Sequence, residues 1–196
     1  MPKVVPEYKQ QARQRIIEVG AAVFIDRGYY GTKMDDIAET MGVSKGAIYQ
    51  YFKSKEQLFS DVIEFMMGFR KDEVMSIILS DDPMQIASAE FFAMKIERAL
   101  ETSSFGLDLY LEAARNDTLR AKMIEIQESA YKEFEGQIKD LKQGVVKKDA
   151  DLSTIWRGMV ALRDGLITSV LTGADVAVAT KTWEKVATIL LREILV

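Results

Sequence analysis

Cysteine and histidine are both absent from the 196-residue sequence. Without cysteine there is no disulfide, no zinc ribbon and no thiol nucleophile. Without histidine the usual imidazole base is gone, together with most transition-metal sites. A site built from carboxylates alone stays open, but no spacing in the chain announces one. Proline is scarce, standing only at positions 2, 6 and 83, so nothing forces a break in a helical run from Met84 to Val196. Strand signals are missing: no apolar–polar alternation is bounded by Asn-Gly or Asp-Gly turns. So are Gly-rich phosphate loops, nucleophile elbows and paired metal ligands, and neither an enzyme nor a cofactor is expected. No basic-then-apolar leader opens the chain and no apolar run approaches the length of a membrane span. A soluble cytoplasmic protein is expected.

What the chain does have is helical periodicity. A first helix is expected over about Glu7–Arg27, with Ile16, Val19, Gly20, Val23 and Phe24 on its buried stripe and Gly28 at its end. Thr32 is placed to cap a second helix, with Asp35 as its capping-box partner. Met41-Gly42-Val43 makes a turn, because Gly42 can take the positive φ that ends a helix. Ser44 then caps a third helix over about Ser44–Phe52. Ser54 and Gln57 frame a fourth, near Ser54–Met75. Asp81-Asp82-Pro83 breaks the chain and starts a fifth helix over Pro83–Glu101. A sixth follows over Ser104–Arg115. Asp117 is expected to cap a seventh that reaches about Lys147, Asp151 an eighth that ends near Gly173, and a ninth covers about Ala177–Leu195. The eighth carries Leu152, Ile155, Trp156, Met159, Leu162 and Leu166 on one face, and the ninth carries Trp183, Val186, Ala187, Leu190 and Ile194. The fold class is all-α, with about nine helices.

The stretch Gly31–Lys55, GTKMDDIAETMGVSKGAIYQYFKSK, holds the most information. Two short helices around a tight turn, followed by the start of another, form a helix-turn-helix, whose second helix enters the major groove of DNA. With the helix before it, the segment resembles the N-terminal domain of TetR-family transcriptional repressors. The matching residues are Phe24, Gly28-Tyr29, Thr32, Asp36-Ile37-Ala38, Gly42-Val43-Ser44, Gly46, Tyr49, Tyr51-Phe52 and Ser54-Lys55-Glu56. The resemblance implies a helix-turn-helix DNA-binding domain over residues 1–53 and a helical ligand-binding and dimerisation domain over 54–196. Charge runs the same way. Residues 1–55 hold nine basic and six acidic residues, and the remainder holds 17 basic and 24 acidic, so a modestly basic head sits on an acidic body although the net charge is −4.

The candidate DNA-binding residues are Thr32, Lys33, Ser44, Lys45, Gly46, Ala47, Tyr49, Gln50 and Lys55. Gly46 and Ala47 are small enough for close approach to a groove, and Lys45 and Gln50 could read guanine and adenine or simply stay solvated. Tyr49 resembles the family tyrosine whose hydroxyl reaches a phosphate. Lys55 opens the fourth helix, where positive charge suits a phosphate, and Thr32 offers a hydroxyl to another. Lys33 stands where many family members have a hydroxyl residue. Asp36 is expected to cap or pair within the head.

The family resemblance also implies a small-molecule pocket in the second half. Phe65, Met66, Phe69, Phe92, Phe105, Tyr110, Tyr131, Trp156 and Met159 are its candidate lining, although each also suits an ordinary helical core. Asp108, Glu112 and Arg163 interrupt apolar stretches, where they could orient a ligand or form surface ion pairs. The function expected is that of a homodimeric repressor, paired through its last two helices on a palindromic operator and released by a small, mainly apolar effector. A structural DNA-binding protein without effector, or a helical-bundle enzyme or carrier, are the rival readings.

Overall fold

The computed structural model describes residues 6–78, 80, 82–140 and 146–196, with backbone alone for residues 6, 7, 67–75, 78, 103, 104 and 137–140. Among these residues the fold is helical: α1 (Pro6–Gly31), α2 (Met34–Met41), α3 (Lys45–Tyr49), α4 (Lys55–Ile78), α5 (Ala89–Glu101), α6 (Ser103–Arg115), α7 (Asp117–Asp140), α8 (Leu152–Leu171) and α9 (Val176–Ile194). The extended pairing found is one isolated bridge between Val146 and Leu195. The expected all-α class with nine helices is the observed one. None of the described helices is long and apolar enough to cross a membrane.

The chain divides into two compact units. The first comprises the chain up to Phe69 together with Thr102–Met123; the second comprises Arg70–Glu101 and Ile124–Val196. This division by packing does not follow the linear boundary at residue 53, because α6 packs with the head. An aromatic cluster explains why. Phe59 of α4 meets Phe24 at 5.0 Å, Tyr29 at 4.6 Å and Phe105 of α6 at 5.3 Å between ring centroids. Phe105, Leu109 and Ala113 recur every fourth residue of α6 and are buried together.

Several helix starts differ from expectation. The Thr32 hydroxyl turns inward, donating to the Gly28 carbonyl at 2.7 Å, and so cannot cap α2. The cap falls on Lys33, whose N–H donates to Asp36 at 2.7 Å, so Asp36 takes the role expected of Asp35. Asn116, not Asp117, caps α7: its side-chain oxygen accepts from Thr118 and Leu119. Pro83–Ala87 winds as a 3-10 turn before Ser88 returns to extended backbone, and α5 begins only at Ala89. The expected arm over residues 1–6, Asp81 and the far end of the seventh helix lie wholly or partly outside the described residues.

In the second unit the core gathers on Trp183 of α9. Its ring stacks on Phe92 at 5.1 Å, and its indole N–H donates to the Ile86 carbonyl at 3.1 Å, so the one polar atom of a fully buried ring is satisfied. Asp151 and Asp175 cap α8 and α9 by accepting from Thr154 and Val178.

Candidate nucleic-acid interface

The turn between α2 and α3 folds as its residues require. Gly42 takes the left-handed conformation (φ 68°), the N–H of Val43 closes back on the Ala38 carbonyl, and Ser44 accepts from the Ala47 N–H at 3.3 Å. α3 is short. Phe52 is fully buried beneath it, and its N–H and that of Tyr51 both donate to Ile48, turning the chain toward α4. Ser54 then accepts from Gln57, while the Gln57 side chain accepts from Lys53 rather than from the cap itself.

One face of this unit is left polar and open. Lys33, Ser44, Lys45, Gly46, Tyr49 and Gln50 are exposed, Ala47 is half-buried, and a Cβ added at Gly46 would have the Ser44 hydroxyl, at 3.9 Å, as its near neighbour beyond its own helix backbone among the described residues. Such a face can admit a DNA backbone and a groove edge. Lys45 is held ready by Asp35 at 2.7 Å, with its ammonium 5.9 Å from the Tyr49 ring, and the Asp35 hydrogen bond pushes its pKa up. Asp35 therefore stands beside the face, not remote from it. Lys53, which sequence reasoning passed over as a site residue, is exposed at the end of the same turn; its local signal was its place two residues before Lys55.

Two of the expected phosphate ligands, Thr32 and Lys55, have partners within the protein. Thr32 is buried and its hydroxyl is spent on the Gly28 carbonyl. The Lys55 ammonium donates to the carbonyls of Tyr29 (2.7 Å) and Thr32 (3.0 Å) and lies 4.1 Å over the Tyr29 ring. Burial pushes its pKa down, against the pull of Glu56, Glu112 and Asp108.

The second unit holds a cavity of about 70 Å³. Trp156 and Met159 of the expected lining are in its wall, with Phe91, Phe134, Trp183 and Arg163, the last being the sole charged residue there among the described residues. The Trp156 ring stacks on Phe134 at 4.5 Å. The other expected residues lie elsewhere. Phe92 is buried behind Trp183, and Tyr131 packs against the same core with Arg157 over its ring. Phe65, Met66, Phe105 and Tyr110 belong to the first unit, and the Phe69 side chain is outside the described residues. Asp108 and Glu112 are also in the first unit, holding the end of α1 rather than facing this cavity.

Comparison with known proteins gives this geometry a setting. The family profile "Bacterial regulatory proteins, tetR family" matches residues 16–62, and "BetI-type transcriptional repressor, C-terminal" matches residues 88–195, more than half of the chain. The uncharacterised HTH-type transcriptional regulator YfiR of Bacillus subtilis is 39% identical over 72 residues, 36% of this chain but only 35% of that protein. The HTH-type transcriptional repressor DhaR of a Mycobacterium strain is 27% identical over 161 residues, 76% of this chain and 80% of its own. A solved TetR-family regulator from Cytophaga hutchinsonii superposes with a TM-score of 0.74 at 24% identity, each chain covered to 99%, which is a likeness of fold.

Proposed function

Because the chain belongs to the TetR family of transcriptional regulators, we propose that it is a cytoplasmic repressor that binds a palindromic operator as a homodimer and leaves it when a small, mainly apolar effector binds. The observation that carries this reading is the exposed α3 face between the Gly42 turn and Tyr49. Lys45 and Gln50 read base edges, Gly46 and Ala47 allow close approach, and Lys33, Ser44 and Tyr49 meet phosphates. Lys55 and Thr32 act indirectly, by holding the turn that presents Lys33. In this reading residues 1–53 are the functional DNA-binding segment and 54–196 supply ligand binding and dimerisation.

The partner copy is engaged by α8 and α9. Most apolar residues of α8 are only half-buried within one chain, and Ile189 of α9 is 54% exposed, so both helices carry apolar surface that a second copy would cover. Two heads then reach successive major grooves about 34–36 Å apart. The effector enters the aromatic cavity of the second unit. A cavity on the order of 150 Å³ admits a benzene ring, and this one, at about 70 Å³, is roughly half that size. An effector that parts the Trp156–Phe134 stack in the cavity wall gains room there, and that displacement would be the differential contact a ligand needs to shift a two-state equilibrium. Selection of duplexes from a random-sequence pool tests the reading. Enrichment of a two-half-site sequence is expected; equal retention of all duplexes would support a structural DNA-binding role instead.

A further inference from the structure

At Gly28 the backbone leaves helical geometry (φ 70°, ψ 170°), three residues before α1 ends. Such a break frees backbone groups that must find partners elsewhere. Each partner here is a side chain. The Tyr29 N–H donates to Asp108 at 2.6 Å, the Gly28 carbonyl accepts from Thr32 and the Tyr29 carbonyl from Lys55. The Tyr30 hydroxyl donates to Glu112, and Arg115 donates to that hydroxyl at 3.3 Å. Asp108, Glu112 and Arg115 stand at i, i+4 and i+7, one stripe of α6. Glu112 is 7% exposed, so its charge is committed to this contact. The approach is close: a Cβ at Gly28 would stand 2.7 Å from the Asp108 carboxylate.

From this geometry we infer that the Asp108–Glu112–Arg115 stripe of α6 is a positioning brace for DNA recognition, fixing the Gly28–Lys33 turn and through it the placement of α2 and α3. These residues touch no DNA. They act on Lys33 and on the recognition face by holding the backbone from which α2 starts. The inference rests on the DNA-binding role proposed above. It gives function to a pair of carboxylates that composition alone could not separate from a ligand site or a solvated face. It also makes α6, which follows α5 directly in the chain, part of the machinery that sets the head.

The test compares Asp108→Ala, Asp108→Asn and Tyr30→Phe with the natural chain, each full length and checked for helicity by circular dichroism. Amide hydrogen exchange is read first, without DNA. Asp108→Ala is expected to accelerate exchange at Tyr29 and through residues 29–36, leaving the amides around Phe59 protected. Asp108→Asn keeps an acceptor for the Tyr29 N–H and is expected to restore protection. Affinity is then measured for the duplex selected by the natural chain and for a scrambled one. Asp108→Ala and Tyr30→Phe are expected to weaken the selected duplex about tenfold, the scale of one lost specific contact, and the scrambled duplex by clearly less, through the Lys33 phosphate contact alone. Unchanged exchange, equal losses on both duplexes, or full specific affinity in a folded Asp108→Ala variant would each overturn the brace. Failure of the natural chain to select any sequence would overturn the DNA-reading role instead, while the exchange result still decides whether the brace holds the turn.

Discussion

In the first unit a broken helix is closed by polar groups: Asp108, Thr32 and Lys55 answer the backbone atoms around Gly28. In the second unit rings answer rings, with Trp183 on Phe92 and Trp156 on Phe134, beside a cavity lined mainly by apolar side chains together with Arg163. The difference is one of tolerance. Directed hydrogen bonds hold a single backbone geometry, which suits a face that must match a groove. Stacked apolar rings are held by less directional contacts, which suits the effector site proposed above.

The sharpest way to break this contrast is to remove the centre of each side. Trp183→Ala is expected to cost about 3–5 kcal/mol, as buried aromatic truncations do, read by urea unfolding. Gly28→Ala is expected to cost about 1–3 kcal/mol, because a side chain there meets both a disfavoured φ and the Asp108 carboxylate. Combining it with Asp108→Ala removes the clash but leaves the strained φ, so only part of the stability should return. Full recovery would show that the conformation at Gly28 is not itself the constraint.

The first unit was readable wherever partners lie close in sequence. The Gly42 turn and the Ser44 cap depend on residues three to five positions apart, and both fold as expected. The rule for caps looks ahead from Thr32, whereas the partner of its hydroxyl, the Gly28 carbonyl, lies four residues behind, across a break. Asp108 and Glu112 find their partners 79 and 82 residues away, and no spacing rule spans that distance. The same limit applies to the aromatic residues. Composition announced a soft core, but Phe105 belongs to the cluster around Phe59 while Trp156 lines the cavity of the other unit. Only the packing of α6 with α1 separates the two.

Smaller effects sharpen the division between groups that touch DNA and groups that hold the face. Lys33→Ala is expected to lower the slope of log affinity against log salt by about one, as one lost phosphate contact does. Lys55→Met should leave that slope alone and reduce thermal stability, since its ammonium serves two carbonyls. A reversed result would return the phosphate contact to Lys55. The smallest effect is electrostatic. Hydrogen bonding to the Thr154 N–H holds the Asp151 carboxyl below the usual range, so stability is present above its unfolded pKa and lost as pH falls through the lower, folded one. Asp151→Asn is expected to flatten the acid limb of the stability profile slightly, read by thermal melts.

The pairing of two heads is the claim on which the rest depends, and sedimentation of the complex with its selected duplex measures it most directly. The expected result is two chains on one duplex, with half-sites about one helical turn apart, and an Ile189→Glu variant that stays helical but sediments as a monomer with weakened binding. One chain per duplex, bound with undiminished affinity, would contradict it.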